Sequence, residues 1–163
     1  MAIRTILKDG DPGLLKISRP VEQFDQRLHT LLDDMHETME FANGVGLAAP
    51  QVGVLRRVVL VLDMNEQLEE DDDELEEEVY ELINPVVLEQ SGEETCMEGC
   101  LSVPGVWGEV TRSAYVKVRA QDRQGVFFEV EGRGMTARAL LHEIDHLDGK
   151  LYTGLAKELV PIE

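Results

Sequence analysis

His142 and His146 stand four residues apart in the stretch HEIDH, with Glu143 directly after the first. On a helix, side chains at that spacing sit one turn above each other on one face, so both imidazoles can meet at a single metal ion. Glu143 would then lie beside the open coordination position as a general base for a metal-activated water. A helix is expected here. Thr136 is a candidate N-cap, Ala137 to Leu141 are good helix formers, and Gly149 offers a C-terminal stop. The competing reading is an amphipathic helix with a core face of Leu140, Leu141, Ile144 and Leu147 and incidental histidines.

Two histidines leave such a site short of ligands, because a catalytic centre of the zinc type takes three protein ligands and keeps one position open. Downstream candidates are Asp148, Glu158 and Glu163. The third histidine of the HExxHxxGxxH pattern would fall at Tyr152, which cannot serve as that ligand. Upstream, Cys100 is a soft thiolate in a glycine-flanked turn, and a Cys-His-His set suits zinc or ferrous iron. Cys96 reads as a buried hydrophobe, and two cysteines cannot build a disulfide framework. His29 and His36 have no neighbouring ligand types and read as surface or boundary residues.

The elements that must position these groups are legible in part. Residues 3–22 show no sustained period and are broken into turns by Gly10, Pro12, Gly13 and Pro20. Phe24, Leu28, Leu31, Leu32, Met35 and Met39 then recur at helical spacing, with Asp33, Asp34, Glu37 and Glu40 facing away. Asn43 and Gly44 end that helix, glycine taking the left-handed stop. GVGLAAPQ, from Gly44 to Gln51, is either a tight turn or an extended run whose bare backbone a peptide can pair with. Val58 to Leu62 is a buried strand, and strand resumes at 79–83 and 86–88 with a bend at Asn84-Pro85. MEGCLSVPG ends in a turn at Pro104-Gly105. Segments 114–120 and 126–130 alternate as strands about a turn at Asp122 to Gly125. Strands first and the metal helix last predict an α+β fold, mostly antiparallel sheets around a C-terminal HExxH helix.

At 163 residues the chain reads as one domain. A net charge of −18 argues against direct nucleic-acid binding, which needs a basic surface. Eleven of the acids fall between Glu66 and Glu81 without a lysine or arginine among them. The stretch at about 66–78 therefore reads as a solvated loop insertion, far in sequence from the other motifs. No apolar run approaches a membrane span, and Asp9 to Pro12 interrupt any signal-type region, so a cytoplasmic location is expected.

Three motifs stand in order: GVGLAAPQ, EGCLS (Glu98 to Ser102) and HEIDH. Together they resemble the peptide deformylases of bacteria and organelles, a likeness running from about Ile6 to Leu151 with the DP turn, the INP strand and the HEIDHLDG continuation. The resemblance implies a hydrolase that removes formyl from the N-terminal formylmethionine of newly synthesised polypeptides and releases formate. It implies one divalent metal on Cys100, His142 and His146, commonly Fe2+, with Zn2+, Ni2+ or Co2+ as substitutes. Glu143 would be the general base, and the Gln51 amide and Leu101 N–H would meet developing negative charge. Val45, Gly46, Glu98 and Gly99 would line the substrate, Glu98 also pairing with Arg112, and Asp145 would accept from a ligand histidine or lie exposed. The sequence departs from the family at two places. The acidic insertion is not a general family feature, and LVPIE stands where many relatives carry a longer basic helix, which puts ribosome association in doubt.

Overall fold

In a computed structural model that describes residues 2–64, 78–156 and 159–161, the described residues form eight strands and two long helices. In order these are α1 (Gln26–Phe41), β1 (Gly46–Ala48), β2 (Val58–Leu62), β3 (Val79–Ser91), β4 (Glu94–Cys100), β5 (Val103–Arg112), β6 (Tyr115–Gln121), β7 (Phe127–Arg133), α2 (Met135–Leu147) and β8 (Leu159–Pro161). One sheet has the order β1-β2-β3-β6-β7 and a second the order β4-β5-β8, and every pairing between them is antiparallel. The α+β expectation is met. The acidic stretch lies outside the described residues except for Glu78.

The two helices clamp the five-stranded sheet from opposite faces. Val59 and Val61 join Leu82, Val116 and Val118 beneath Ala137, Leu140, Ile144 and Leu147 of α2. Val58 and Leu60 point the other way, into Leu28, Leu31, Leu32, Met35 and Met39 of α1. A strand covered on both faces has no polar side to show, which is why VVLVL is continuously apolar. Asp25 caps α1, its side chain accepting from the Leu28 N–H at 3.2 Å.

Several local expectations change. The left-handed stop of α1 is Asn43 (φ 55°), with Gly44 N–H returning to the Met39 carbonyl. Asp34 does not face away. It is buried, accepting from the Ala2 N–H and paired with Arg4. Residues 79–91 form one strand, interrupted by a register shift at Asn84-Pro85 where Asn84 takes φ 52°. The turn expected at Pro104-Gly105 falls earlier. Leu101-Ser102 turns the chain and β5 runs through Pro104, pairing back on β4. Cys96 is half-buried on β4 and not in the core. Thr136 is not the N-cap of α2. Gly134 takes that position at φ 57° and ψ −125°, while Thr136 is buried and accepts from the Met64 N–H at 2.8 Å. Gly149 does end α2, at φ 72°.

Candidate metal centre

The buried face of α2 presents His142 and His146 one turn apart, and the end of β4 brings Cys100 to meet them. One ligand atom from each of the three residues lies within 4.8 Å of the others. Cys100 Sγ is 3.4 Å from His146 Nε2. A register shift between Glu98 and Cys100 marks the end of β4, and Cys100 pairs with Val103 across the Leu101-Ser102 turn. The hairpin tip thereby points its thiol at the helix.

Behind the ligands stands a buried charge network. His142 Nδ1 makes a short contact with Glu98, which fixes that nitrogen as the donor and leaves Nε2 facing the ligand cluster. Arg112 grips both oxygens of Glu98 through Nε and Nη2, and its Nη1 donates to Asp145 at 2.9 Å. Arg138 Nη1 adds a bond to Glu98 Oε2 at 2.8 Å. Burial opposes the charge on Glu98, but His142 and Arg112 hold its carboxyl well below the usual range. Burial, reinforced by the positive charge of His142 and Arg112, pushes His146 down to about 3, so it is neutral and able to ligate. Burial alone would lower His142 as well, yet Glu143, Cys100 and Glu98 raise it to about 10, so a metal held at Nε2 would have to displace a proton there.

Glu143 is buried beside the ligands, 4.0 Å from His142 Nε2, and its Oε1 has no hydrogen-bond partner among the described residues. Burial raises its carboxyl to about 7. Gly46 of β1 faces it so closely that an added Cβ would lie 2.5 Å from Oε2. Gln51 is held by its Oε1, which accepts from the Ala48 N–H at 2.9 Å. Its Nε2 thus turns toward Ser102 Oγ at 3.0 Å and Cys100 Sγ at 3.7 Å.

The structure brings together Gly46, Gln51, Glu98, Gly99, Cys100, Leu101, His142, Glu143 and His146 at one place. Val45 is exposed just before the edge strand β1, and the Trp107 ring covers Gly99. Two roles change. Asp145 accepts from Arg112 and not from a ligand histidine, and Glu98 makes the contact with His142. Glu98 therefore sits behind His142, buried and paired with Arg112 as the resemblance implied. Of the alternative ligands, Asp148 is paired with Arg57 at 3.1 Å, and Glu158 and Glu163 lie outside the described residues. Sequence reasoning missed Ser102, Arg138 and the stacking of Tyr152 on His142 at 6.0 Å. Arg138 carried a usable signal, being one turn before His142 on the same buried face.

A His-Glu-x-x-His helix that meets a cysteine from a β-hairpin, beside an edge strand, is a group that could hold a metal ion, the arrangement of a metal-dependent hydrolase. The family model for polypeptide deformylase matches residues 3–160. A peptide deformylase of Acetivibrio thermocellus is 56% identical over 153 residues, covering 94% of this chain and 83% of that protein. One from Alkaliphilus metalliredigens is 54% identical, covering 94% and 96%. The crystal structure of a peptide deformylase from Legionella pneumophila superposes with a TM-score of 0.83 at 45% identity, covering 96% and 87%. The Ehrlichia chaffeensis enzyme in complex with actinonin gives 0.87 at 36% identity, covering 97% and 91%. The chain belongs to the polypeptide deformylase family, a family of metalloenzymes.

Proposed function

We propose that this enzyme removes the formyl group from N-terminal formylmethionine of nascent polypeptides at a metal ion held by Cys100 Sγ, His142 Nε2 and His146 Nε2. The observation that carries the reading is the convergence of three ligand atoms within 4.8 Å beside a buried glutamate oxygen with no partner among the described residues. The donor set fits a borderline-soft divalent ion, and Fe2+ is the proposed native one, with Zn2+, Ni2+ or Co2+ able to replace it. When bound, the ion supplies an acidified water and a Lewis acid for the formyl oxygen.

The chain's own residues do the rest. Glu143, with its carboxyl near 7, takes the proton of the attacking water and returns it to the leaving amine. Gln51 Nε2 and the Leu101 N–H donate to the negative charge that develops on the formyl oxygen. Val45 and Gly46 pair with the extended peptide along the edge of β1 that is open among the described residues, and Gly99, next to Cys100 on β4, lines the substrate. Glu98 acts through His142, by holding its Nδ1 proton. No described helix is long and apolar enough to cross a membrane, and the proposed setting is the cytoplasm, where formylated chains emerge.

The test is Glu143→Gln, assayed by formate release from a formylmethionyl peptide on anaerobically purified protein together with metal analysis. Turnover should fall ~10²–10⁴-fold with metal content unchanged. Wild-type turnover in the variant would overturn the assignment of the base.

A further inference from the structure

The three ligands come from two separately packed pieces of the fold. The main chain of α2 lies against β1, β2, β6 and β7, with far less approach to the β4–β5 hairpin that carries Cys100. Side chains must therefore set the thiolate against the imidazoles. Arg138 is placed to do so. It projects from α2 one turn before His142, is 4% exposed, and sends three hydrogen bonds into the hairpin. Nη1 donates to the Val110 carbonyl on β5 at 3.0 Å and to Glu98 Oε2 on β4 at 2.8 Å, while Nη2 donates to the Glu94 carbonyl at 2.7 Å.

We propose that Arg138 is a positioning residue for the metal centre, locking the Cys100 hairpin to the helix that bears His142 and His146. The argument deepens the ligand assignment above and rests on it. Arg112 already holds both oxygens of Glu98, so Arg138 is not needed merely to neutralise that carboxylate. Its distinct contribution is reach. One planar fork spans β4, β5 and the carboxylate that orients His142, a geometry that a lysine ammonium cannot reproduce. Loss of the fork frees the hairpin to shift, and a ligand set spread over two elements loses its spacing.

The test measures the site and not only turnover. Arg138→Met keeps the apolar stem and removes every donor, whereas Arg138→Lys keeps the charge and loses the fork. Wild type and both variants are loaded with Co2+, and affinity is measured by chelator competition alongside the visible spectrum, with circular dichroism checking the fold. The Met variant should bind Co2+ about 10–100-fold more weakly, with a diminished thiolate-to-cobalt band, and the Lys variant should fall between. Wild-type affinity and spectrum in the Met variant would overturn the proposal, even if turnover or Tm dropped. Should that variant not fold, the Lys variant decides: wild-type Co2+ binding there overturns the need for a fork. Cys100→Ala is the control. If it binds Co2+ as wild type does, the ligand set itself is wrong; if it loses Co2+ while Arg138→Met does not, only the role of Arg138 fails.

Discussion

Glu143 owes its position to a residue with no side chain. Gly46 leaves the space that the carboxylate occupies, and a Cβ there would meet Oε2 at 2.5 Å and the side-chain carbons at 2.9 Å. Because Glu143 is buried at 5% exposure, it has little room to swing away. Gly46→Ala should therefore lower kcat/KM roughly 10²-fold, the cost expected when a reacting group is misplaced by about an ångström. Metal content should stay at the wild-type level, since the three atoms nearest that methyl all belong to Glu143. Full activity in Gly46→Ala would mean that the base works from another rotamer.

At the scale of elements, α1 is tied to the sheet by a polar cluster as well as by its apolar face. Glu81 on β3 accepts from Arg123 in the β6–β7 turn and meets His36 of α1 at 2.7 Å, while Arg123 also reaches Asp33 of α1 at 3.2 Å. Glu81, counted by its position with the acidic run, is thus paired. Burial works against its charge, but bonds to His36 and Arg123 lower its carboxyl from 4.5 to about 2. A depressed carboxylate pKa stabilises the fold above its ordinary value, and that contribution is lost as pH falls from 4.5 through about 2. Glu81→Gln should lower Tm by ~4 °C at pH 7, and the gap from wild type should close as pH is brought down through that window. A gap that is constant from pH 7 to pH 2.5 in thermal melts would contradict this.

For the whole molecule the main asymmetry is charge. The ends of the acidic stretch are held close together, with the Asp63 N–H donating to the Glu78 carbonyl at 2.7 Å. Leu62, just before it, donates its N–H to the Val45 carbonyl, and Val61 pairs with Gly46. The described residues that flank the acidic stretch thus lie beside the proposed substrate edge, although the stretch is far in sequence from the three motifs. Ten acids fall between Glu66 and Glu78, and the reach of such charge is set by a Debye length of about 10 Å at 0.1 M salt. Replacing 66–78 by a short Gly/Asn turn should leave turnover of a neutral formyl peptide unchanged. It should raise kcat/KM for a formyl peptide rich in glutamate on the order of tenfold at low salt, with the gain fading as salt is added. The same replacement should raise affinity for polyanions. A large fall with the neutral peptide would show that the stretch contributes contacts as well as charge.

The sequence by itself determined the helix of HEIDH, the strand VVLVL and the amphipathic face of α1, because each rests on local spacing and on which side chains avoid water. It also held the family, since three short motifs in fixed order leave few other readings. It could not choose among Cys100, Asp148, Glu158 and Glu163 from spacing, because the cysteine that meets the two histidines comes from a hairpin more than forty residues upstream of His142. Nor could it decide that Thr136 is buried against Met64, that Glu98 and not Asp145 backs His142, or that Arg138 spans two strands. Partner choice for a buried polar group depends on which distant group arrives within hydrogen-bond reach. Only the tertiary arrangement of distant segments around the buried face of α2 fixes that, and sequence separation carries no record of it.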